Sequence, residues 1–399
     1  MFILPNLIQK IIYSKPEGIL EKAVALPLNV ISKAYGPLVE FKLYLHQKGI
    51  FKHEKLPIKT ISIGNITLGG TGKTPTTQYL AKFLFDKGFK PVILSRGYKR
   101  KGGEDKIKIV SDGEKHLLSP SESGDEPFLL SQNLKYVPVI VGRNRYDAGM
   151  VAIEKFKCNV ALLDDGFQHF GLERDLDVVL VNRLNPFGNG YVFPRGYLRE
   201  PLNALSRADV IIITKSDFEK NQDLQIPNMS LDKTFDLHTH KLSQEGNFDE
   251  IVNIIRKYNS DALIAKLIYK FTKLYGEGKE LDLSELKDKK IFTFCGIADE
   301  KYFLSKLSQL VSEYKYLIFD DHHHYTVSDW ENILRGFKEF KAELLITTQK
   351  DYYKIKDLFK SVCPISTSAP DLYYIGIETE IVENKMKLEE RILETLSSG

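Results

Sequence analysis

From Ile58 onward, short apolar runs alternate with longer amphipathic stretches along the chain. The runs have the length of buried strands, are rich in Val, Ile and Leu, and read in order IKTISIG, PVILS, VPVIVG, NVALLDD, DVVLV and DVIIITK. Strands that are covered on both faces of a parallel sheet show such nearly continuous apolar runs. Helices are predicted from the first run to about Lys87, over Glu126–Gln132 and from Asn144, whereas KIKIVSDG predicts a hairpin arm. The pattern therefore predicts an α/β fold with ligands beyond the carboxyl ends of the strands.

A second series of strands and helices follows an irregular stretch. Between about residues 218 and 290 the pattern dissolves, apart from a helical stretch over Phe248–Tyr258, so this segment is predicted to connect two domains. Beyond it, the runs IFTFCG, YLIFDD, ELLITT and LYYIGI, with helices from Glu300 and Val327, predict a smaller α/β domain. The predicted division is an N-terminal amphipathic segment (1–56), a larger core (57–217), a connector (218–290) and a smaller C-terminal domain (291–399).

The N-terminal segment combines a helical apolar stripe with positive charge. Its apolar positions follow helical spacing at Leu28, Ile31, Tyr35, Leu38, Phe41 and Leu45. Residues 1–56 hold eight lysines against four glutamates, and no apolar run reaches the roughly 18 residues that cross a bilayer. Two interpretations remain open: a monotopic helix that lies on an anionic lipid surface, or a helix packed on its own domain.

Composition excludes several other classes of protein. A hydrophobic content of 43% with 27% charged residues is typical of a folded globular chain. Cys158, Cys295 and Cys363 are far apart in sequence, which argues against a disulfide framework or a zinc ribbon and favours a reducing compartment. The net charge is +3, and the basic excess lies in the N-terminal segment, so the charge pattern points away from nucleic acid.

A glycine-rich loop joins the first predicted strand to its helix in SIGNITLGGTGKTP. Such a loop offers backbone N–H groups and the positive end of a helix dipole to an anion. The residues predicted to bind nucleotide phosphates are Gly69, Gly70, Thr71, Gly72 and Lys73. Thr74 supplies a hydroxyl for Mg²⁺. Thr67 stands where the usual phosphate-loop pattern has its first glycine, so the loop departs from that pattern at one position.

Acidic residues follow two other apolar runs. Asp164 and Asp165 end NVALLDD, where a carboxylate can hold hydrated Mg²⁺ beside a phosphate loop, and Gln168 is predicted one helical turn later. Asp125, in SGDEPFLL, fits a helix start equally well. The triple histidine of FDDHHHYT has no partner ligands at metal spacing, and a His paired with a distant carboxylate would instead activate a hydroxyl nucleophile.

The run IIITKSD supports a rival interpretation. Thr214, Lys215 and Asp217 resemble the motif with which GTPases recognise guanine, which would make the protein a membrane-associated GTPase. A nucleotide-gated membrane adaptor without chemistry is a third alternative. It predicts nucleotide binding but no transfer to any acceptor.

Seven motifs occur in one order: GNITLGGTGKTP, SRGY, GDEPFLL, DDGFQH, LREPL, FCGI and FDDHHHY. Together they resemble the tetraacyldisaccharide 4′-kinase family of lipid A biosynthesis, over about residues 55–217 and 291–351. The family is similar to this chain in carrying a small hydroxyl residue at the position of Thr67. The chain departs from the family at Tyr197, where Pro is usual, and in the longer segment 218–290.

The resemblance implies a P-loop NTPase-like kinase core with a second, smaller domain and an N-terminal membrane-surface helix. It implies ATP and Mg²⁺ as cofactors and transfer of phosphate to the 4′-hydroxyl of an acylated glucosamine disaccharide 1-phosphate. The implied place is the cytoplasmic face of the bacterial inner membrane, where the protein is peripheral or monotopic. Its partners would be that substrate and anionic lipid, with no nucleic acid.

The resemblance also implies roles for individual residues. Asp125 would be the catalytic base, supported by His322, and Lys73 would act on the nucleotide; because the base and the histidine belong to different predicted domains, closure would assemble them. The implied metal residues are Thr74, Asp164, Asp165 and Glu200. Gln168 and Arg145 would bind the nucleotide.

Overall fold

The computed structural model of the chain describes residues 11–12, 18–51, 53–98, 100–218, 247–362 and 370–398. Most of the first half of the predicted connector and Cys363 lie outside these residues. The described elements up to residue 214 are α1 (Ile19–Gln47), β1 (Lys59–Asn65), α2 (Lys73–Asp86), β2 (Pro91–Ser95), β3 (Lys108–Ser111), α3 (Pro120–Ser123), α4 (Asp125–Asn133), β4 (Val139–Val141), α5 (Arg145–Phe156), β5 (Val160–Asp164), β6 (Leu176–Asn182), a 3₁₀ helix (Leu202–Arg207) and β7 (Val210–Thr214).

The second half of the chain continues the strand and helix series. Its described elements are α6 (Phe248–Tyr258), β8 (Leu263–Tyr275), β9 (Glu280–Asp282), a 3₁₀ helix (Leu283–Leu286), β10 (Lys290–Cys295), α7 (Glu300–Ser308), β11 (Glu313–Ile318), α8 (Val327–Phe340), β12 (Leu344–Thr348), α9 (Gln349–Val362), β13 (Leu372–Glu383) and α10 (Lys385–Ser397). The helices predicted over Phe248–Tyr258 and from Glu300 and Val327 are confirmed.

The chain divides into two compact units. Unit 1 comprises residues 1–217, 239–268 and 381–399, and unit 2 comprises residues 218–238 and 269–380. The boundary falls within β8 and β13, whose residues are shared between the units. This division differs from the predicted domains, because α6 and α10 belong to unit 1 rather than to a connector and a C-terminal domain. As functional segments, the four predicted divisions stay a prediction.

Unit 1 is built on a mainly parallel sheet. β1 pairs in parallel with β5 on one side and with β6 on the other. β2 and β4 extend the sheet beyond β5, whereas β7 and the first part of β8 extend it beyond β6. β3 pairs antiparallel with β4. The predicted α/β fold with a parallel sheet is therefore confirmed.

The strands of unit 1 are buried because helices cover them, and their polar residues gather at one edge. Ile251 and Ile255 of α6 join one buried apolar cluster, and Ala148 and Ala152 of α5 join another. Five parallel strands end in buried polar residues, which are Asn65, Ser95, Asp164, Asn182 and Thr214. Because buried polar groups need partners, this edge is the expected place for ligand chemistry.

Unit 2 has a smaller, mainly parallel sheet, in which β9 pairs antiparallel with the end of β8. β10 pairs in parallel with β11 and with β12, and β12 pairs in parallel with β13. Its core contains two apolar clusters, one of which includes Trp330 and Ile333 of α8. The prediction of a second, smaller α/β unit is confirmed in its architecture.

Helix α1 has two contrasting faces. The Ser32 hydroxyl donates to the Val192 carbonyl at 2.7 Å, and the Asn203 amide donates to the Glu40 carboxylate at 2.6 Å, so one face packs on unit 1. Exposed apolar side chains occupy much of the rest of the helix, at Leu26, Val30, Ile31, Leu38, Phe41 and Tyr44. No helix among the described residues is long and apolar enough to cross a membrane.

Candidate active site

The glycine-rich loop leads from β1 to the first turn of α2. Gly69 and Gly72 both have φ of 86°, a left-handed conformation that favours glycine. α2 begins at Lys73, so Thr74 is its second residue and the first backbone N–H groups of the helix have no intrahelical acceptor. The loop therefore has the construction that binds phosphate at a helix N-terminus, as predicted from SIGNITLGGTGKTP.

Thr67 fits this loop because its backbone does not need the freedom of glycine. Thr67 forms an isolated antiparallel bridge with Leu198, and the Leu68 N–H donates to the Tyr197 carbonyl at 2.8 Å. The Asn65 amide donates to the Thr67 carbonyl at 2.8 Å. The first part of the loop is thus held by pairing with the LREPL segment, which explains how the loop tolerates Thr67.

Lys73 lies beside Asp165 at the head of α2. Its Nζ is 3.6 Å from the Asp165 carboxylate and 3.5 Å from the Asn65 side-chain oxygen. Arg199 also donates to both carboxylate oxygens of Asp165, at 2.9 and 3.1 Å. Although burial favours the neutral acid, Lys73 and Arg199 outweigh it and lower the pKa of Asp165 to about 2. Asp165 is therefore a carboxylate anion at neutral pH.

Asp164 differs from Asp165 in its surroundings. It is the last residue of β5, is almost fully buried, and accepts hydrogen bonds from Thr77 Oγ1 at 3.3 Å and Ser95 Oγ at 3.2 Å. Burial, with the nearby charges of Glu126 and Asp165, raises the pKa of Asp164 to about 7. The pKa values of the two adjacent carboxyl groups are therefore shifted in opposite directions, upward for Asp164 and downward for Asp165.

The residues after Asp165 form turns rather than the predicted helical turn. Asp165 has φ of 56°, and Gly166 is packed so closely that a Cβ there would lie 2.5 Å from Leu163 Cβ. Gln168 Nε2 donates to the Asn65 carbonyl and to Glu200 Oε1, each at 2.8 Å. The DDGFQH motif therefore links the end of β1 to the LREPL segment instead of starting a helix.

Glu200 is enclosed by its own partners. Arg207 Nη2 donates to both of its carboxylate oxygens at 3.0 and 2.8 Å, and Gln168 donates to one of them. The Arg207 guanidinium also lies 4.4 Å from the centroid of the Phe167 ring. No sequence pattern pointed to Arg207, because only the fold places the end of the 3₁₀ helix beside Glu200.

Asp125 begins α4, as the helix-start interpretation of SGDEPFLL requires. Gly124 precedes it with φ of 91°, and Asp125 and Glu126 form the acidic first turn of the helix. Carboxylates are stabilised at a helix N-terminus by the backbone dipole. Because the charge of Glu126 contributes to the raised pKa of Asp164, the start of α4 lies near the polar edge of the unit 1 sheet.

Arg145 is the first residue of α5 and is buried. Its Nη1 donates to the Gly142 carbonyl at 2.6 Å, whereas its Nε is buried without a hydrogen-bond partner among the described residues. Burial lowers the pKa of Arg145 to about 10, although the charges of Asp164 and Asp165 oppose this shift. An unsatisfied guanidinium N–H of this kind suits an anionic ligand.

His322 lies in unit 2, after β11. It has φ of 62°, and its Nε2 is 3.4 Å from Nζ of Lys350, which also pairs with Asp321 at 3.0 Å. An ammonium group only donates, so Nε2 of His322 is the acceptor in this contact. Since Asp125 belongs to unit 1, its predicted pairing with His322 stays a prediction.

The predicted metal residues stay a prediction, and the structure shows no ready-made site of protein ligands alone in the described part of the chain. Among the described residues, no group of three His, Cys, Asp or Glu side chains is arranged to hold a metal ion. Mg²⁺ needs no such group, since it commonly keeps several waters and binds one or two carboxylates together with substrate phosphates. The Thr74 hydroxyl and the ionised Asp165 fit that requirement, although Asp165 pairs with Arg199 and Lys73 as Glu200 pairs with Arg207.

Comparison with known proteins identifies the family of this site. A family model described as Tetraacyldisaccharide-1-P 4′-kinase matches residues 24–397. The tetraacyldisaccharide 4′-kinase of Desulfotalea psychrophila is 36% identical over 341 residues, which cover 85% of this chain and 90% of that protein. That of Halothermothrix orenii is 34% identical over 388 residues, 93% of each protein. The chain belongs to the tetraacyldisaccharide 4′-kinase family.

A solved structure agrees with this membership. The crystal structure of LpxK from Aquifex aeolicus in complex with ATP matches with a TM-score of 0.68 and 28% identity, covering 94% of this chain and 99% of that one. The resemblance found in the seven motifs is thus confirmed, and the fold class is that of the family. The residues assigned to the site of this tetraacyldisaccharide 4′-kinase family member remain predictions, supported by the contacts above.

Proposed function

We propose that this protein is an ATP-dependent lipid kinase of lipid A biosynthesis. It transfers the γ-phosphoryl group of ATP to the 4′-hydroxyl of a tetraacylated glucosamine disaccharide 1-phosphate. The observation that carries the proposal is the loop from Gly69 to Thr74, with Lys73 at the head of α2 beside Asp165, in a chain of this family. Phosphoryl transfer depends mainly on positioning and charge stabilisation, which such a loop supplies.

The loop would bind the nucleotide and the metal. Backbone N–H groups from Gly69 to Gly72 and the Lys73 ammonium contact the phosphates, and Arg145 and Gln168 complete the anion site. Thr74 and Asp165 would hold Mg²⁺, which neutralises phosphate charge when bound. Asp164, whose pKa is raised to about 7, would act through its hydrogen bonds rather than as a permanently charged ligand.

Asp125 would serve as the base. Its carboxylate takes the proton of the 4′-hydroxyl while that oxygen bonds to the γ-phosphorus, and the bond to the bridging oxygen breaks to release ADP. His322 would orient Asp125 and support its basicity after domain closure. Nε2 of His322 lies 3.4 Å from the Lys350 ammonium and 3.8 Å from the Asp321 carboxylate, and these neighbours limit the orientation of its ring.

Helix α1 would place the protein on the membrane surface. Both interpretations of this helix are compatible with its contacts, since one face packs on unit 1 and apolar side chains such as Leu38 and Phe41 are exposed. Lys22 and Lys33 are exposed on the same helix and would contact anionic lipid. We therefore place the protein as peripheral or monotopic on the cytoplasmic face of the inner membrane, where an acylated substrate is accessible.

Vesicle binding tests this placement. The variant Leu38→Glu/Phe41→Glu should bind anionic vesicles at least about tenfold more weakly than wild type, because burial of each apolar side chain contributes roughly 1.5–3 kcal/mol. Met386→Glu is the matched control, since Met386 is exposed on α10. Equal binding of both variants would contradict a role for α1.

Phosphate transfer from labelled ATP to the tetraacyl disaccharide 1-phosphate in detergent micelles tests the function. Lys73→Ala should abolish most transfer, whereas Lys59→Ala should not, because Lys59 begins β1 at the opposite end and pairs with Asp175. A preference for GTP over ATP in competition would support the GTPase alternative instead. Binding of ATP by a folded wild type that transfers nothing would support the adaptor alternative.

A further inference from the structure

The TKSD stretch after β7 contacts the phosphate loop. Nζ of Lys215 donates to the Gly70 carbonyl at 2.8 Å, and the Thr214 hydroxyl donates to the Thr71 carbonyl at 3.1 Å. The Asn182 amide, at the end of β6, also donates to the Gly70 carbonyl at 3.4 Å. Thr214 and Lys215 are both buried. Two successive carbonyl groups of the loop are therefore held by side chains from neighbouring strand ends.

These contacts set the direction of the loop's peptide groups. In a planar trans peptide the C=O and the following N–H point to opposite sides. Because the Thr71 carbonyl is directed to Thr214, the Gly72 N–H is directed away from β7. The Thr71 N–H is likewise turned from Lys215 and meets the Gly69 carbonyl at 3.1 Å. Carbonyl oxygens repel an anion, so holding the Gly70 and Thr71 carbonyls on the β7 side keeps them away from a phosphate bound on the other side.

Lys215 is itself placed by several contacts. It has φ of 57°, a conformation that residues other than glycine adopt rarely and that the surroundings must hold. Both neighbours of Lys215 in the chain are held by hydrogen bonds. Before it, the Thr214 carbonyl accepts from the Arg183 N–H at 3.2 Å. After it, the Ser216 N–H donates to the Leu267 carbonyl at 3.1 Å. The Ser216 hydroxyl donates to the Ile213 carbonyl at 2.7 Å. The backbone of Lys215 is thus held in place while its long side chain reaches the Gly70 carbonyl.

We propose that Lys215 and Thr214 are positioning residues that hold the Gly70 and Thr71 carbonyls away from the nucleotide. They keep the loop in its phosphate-binding conformation before ATP arrives. The proposal rests on the proposed function for the identity of the phosphate-bearing ligand. It gives Thr214 and Lys215 of the TKSD stretch a role that involves no base recognition.

Hydrogen exchange of the nucleotide-free full-length protein tests the proposal independently of catalysis. The Leu68 and Thr71 amides, whose acceptors are the Tyr197 and Gly69 carbonyls, should exchange about tenfold to a hundredfold faster in Lys215→Met, the range expected for loss of one hydrogen bond to a charged group. Lys215→Arg should restore part of the protection. Lys59→Met is the matched control, and its loop amides should exchange as in wild type.

Nucleotide affinity provides a second readout. The Kd for ATP should rise about tenfold to a hundredfold in Lys215→Met, whereas kcat at saturating ATP should fall much less, because bound phosphate can itself order the loop. Thr214→Val removes one hydroxyl at constant size and should give a smaller change that is also confined to the loop. This variant decides the matter if Lys215→Met does not fold.

Unchanged loop exchange and unchanged ATP affinity in the variants would overturn the proposal. So would exchange that is accelerated equally in the loop and in the strands β1 and β7, since this would show a general structural role. Failure of the proposed function would look different. A wild type that transfers no phosphate would still show whether the loop amides depend on Lys215.

Discussion

Loss of Arg207 should destabilise unit 1, because it leaves a buried carboxylate without its cation. Glu200 is only 2% exposed, and Arg207 contacts both of its oxygens. Breaking a buried ion pair by removing one partner costs about 3–5 kcal/mol. The lost contact with the Phe167 ring adds about 0.5–1 kcal/mol. We therefore expect Arg207→Met to lower the free energy of unfolding by about 3.5–6 kcal/mol.

A second substitution should recover part of this loss. In Arg207→Met/Glu200→Gln the buried charge is absent, and the new amide oxygen can still accept from Gln168. The double variant should be about 2–3 kcal/mol more stable than Arg207→Met, since replacing both partners avoids the unpaired charge. Arg143→Met is the matched control. Arg143 and Asp105 form an exposed pair, whose loss should cost under about 1 kcal/mol.

Urea unfolding followed by circular dichroism measures these changes. Trp330, the only tryptophan, lies in the core of unit 2, so its fluorescence reports that unit as an internal reference. The reasoning would be refuted by an Arg207→Met variant as stable as Arg143→Met. A double variant no more stable than Arg207→Met would also refute it, because the cost would then not come from the unpaired charge.

Three further substitutions test the site. Lys73→Ala should lower kcat by roughly 10²–10³, the loss expected when one group that stabilises the transition state is removed. Steady-state kinetics measures this loss, with Lys59→Ala as the control. Asp125→Ala should bind ATP normally and lose roughly 10²–10⁴ in kcat, and near-wild-type turnover would place the base elsewhere. Asp164→Asn should change the pH dependence of stability. The folded pKa of Asp164, about 7, lies above the ordinary value of 3.8, so wild-type stability falls as pH rises between these values. Urea unfolding midpoints measured from pH 4 to 8 should decrease less with rising pH in the variant than in wild type. The same dependence of the midpoint on pH in both proteins would contradict a buried Asp164 that keeps its proton.

The strands were the most predictable part of the fold. Runs such as PVILS and DVIIITK are buried on both faces, so their composition alone indicates a covered parallel sheet. The partners of amphipathic helices were less predictable. The spacing of Leu388 and Ile392 shows that one face of α10 is buried, but not that the helix belongs to unit 1. An amphipathic pattern indicates which face of a helix is buried, but it does not indicate which part of the protein covers that face.

The site shows the same limit at the level of single residues. The phosphate loop was predictable because glycines at positive φ and a lysine at the head of a helix have few other uses together. Glu200 was assigned to the metal only through the family resemblance, and in the structure its carboxylate accepts from Arg207 and Gln168. A sequence gives the charge of a side chain, whereas its role depends on which partners the fold brings within hydrogen-bond distance.

The TKSD stretch is an example of a motif whose role depends on the partners of its side chains. The same four residue types suggest a base-recognition motif in one context and a support for the loop in another. The support role rests on the acceptor of the Lys215 ammonium, which is the Gly70 carbonyl, whereas competition between ATP and GTP tests base recognition. Thr67 follows the same logic, since its bridge to Leu198 removes the need for a glycine. Both departures from familiar patterns therefore have one cause: the phosphate loop is held from outside, by LREPL on one side and by the end of β7 on the other.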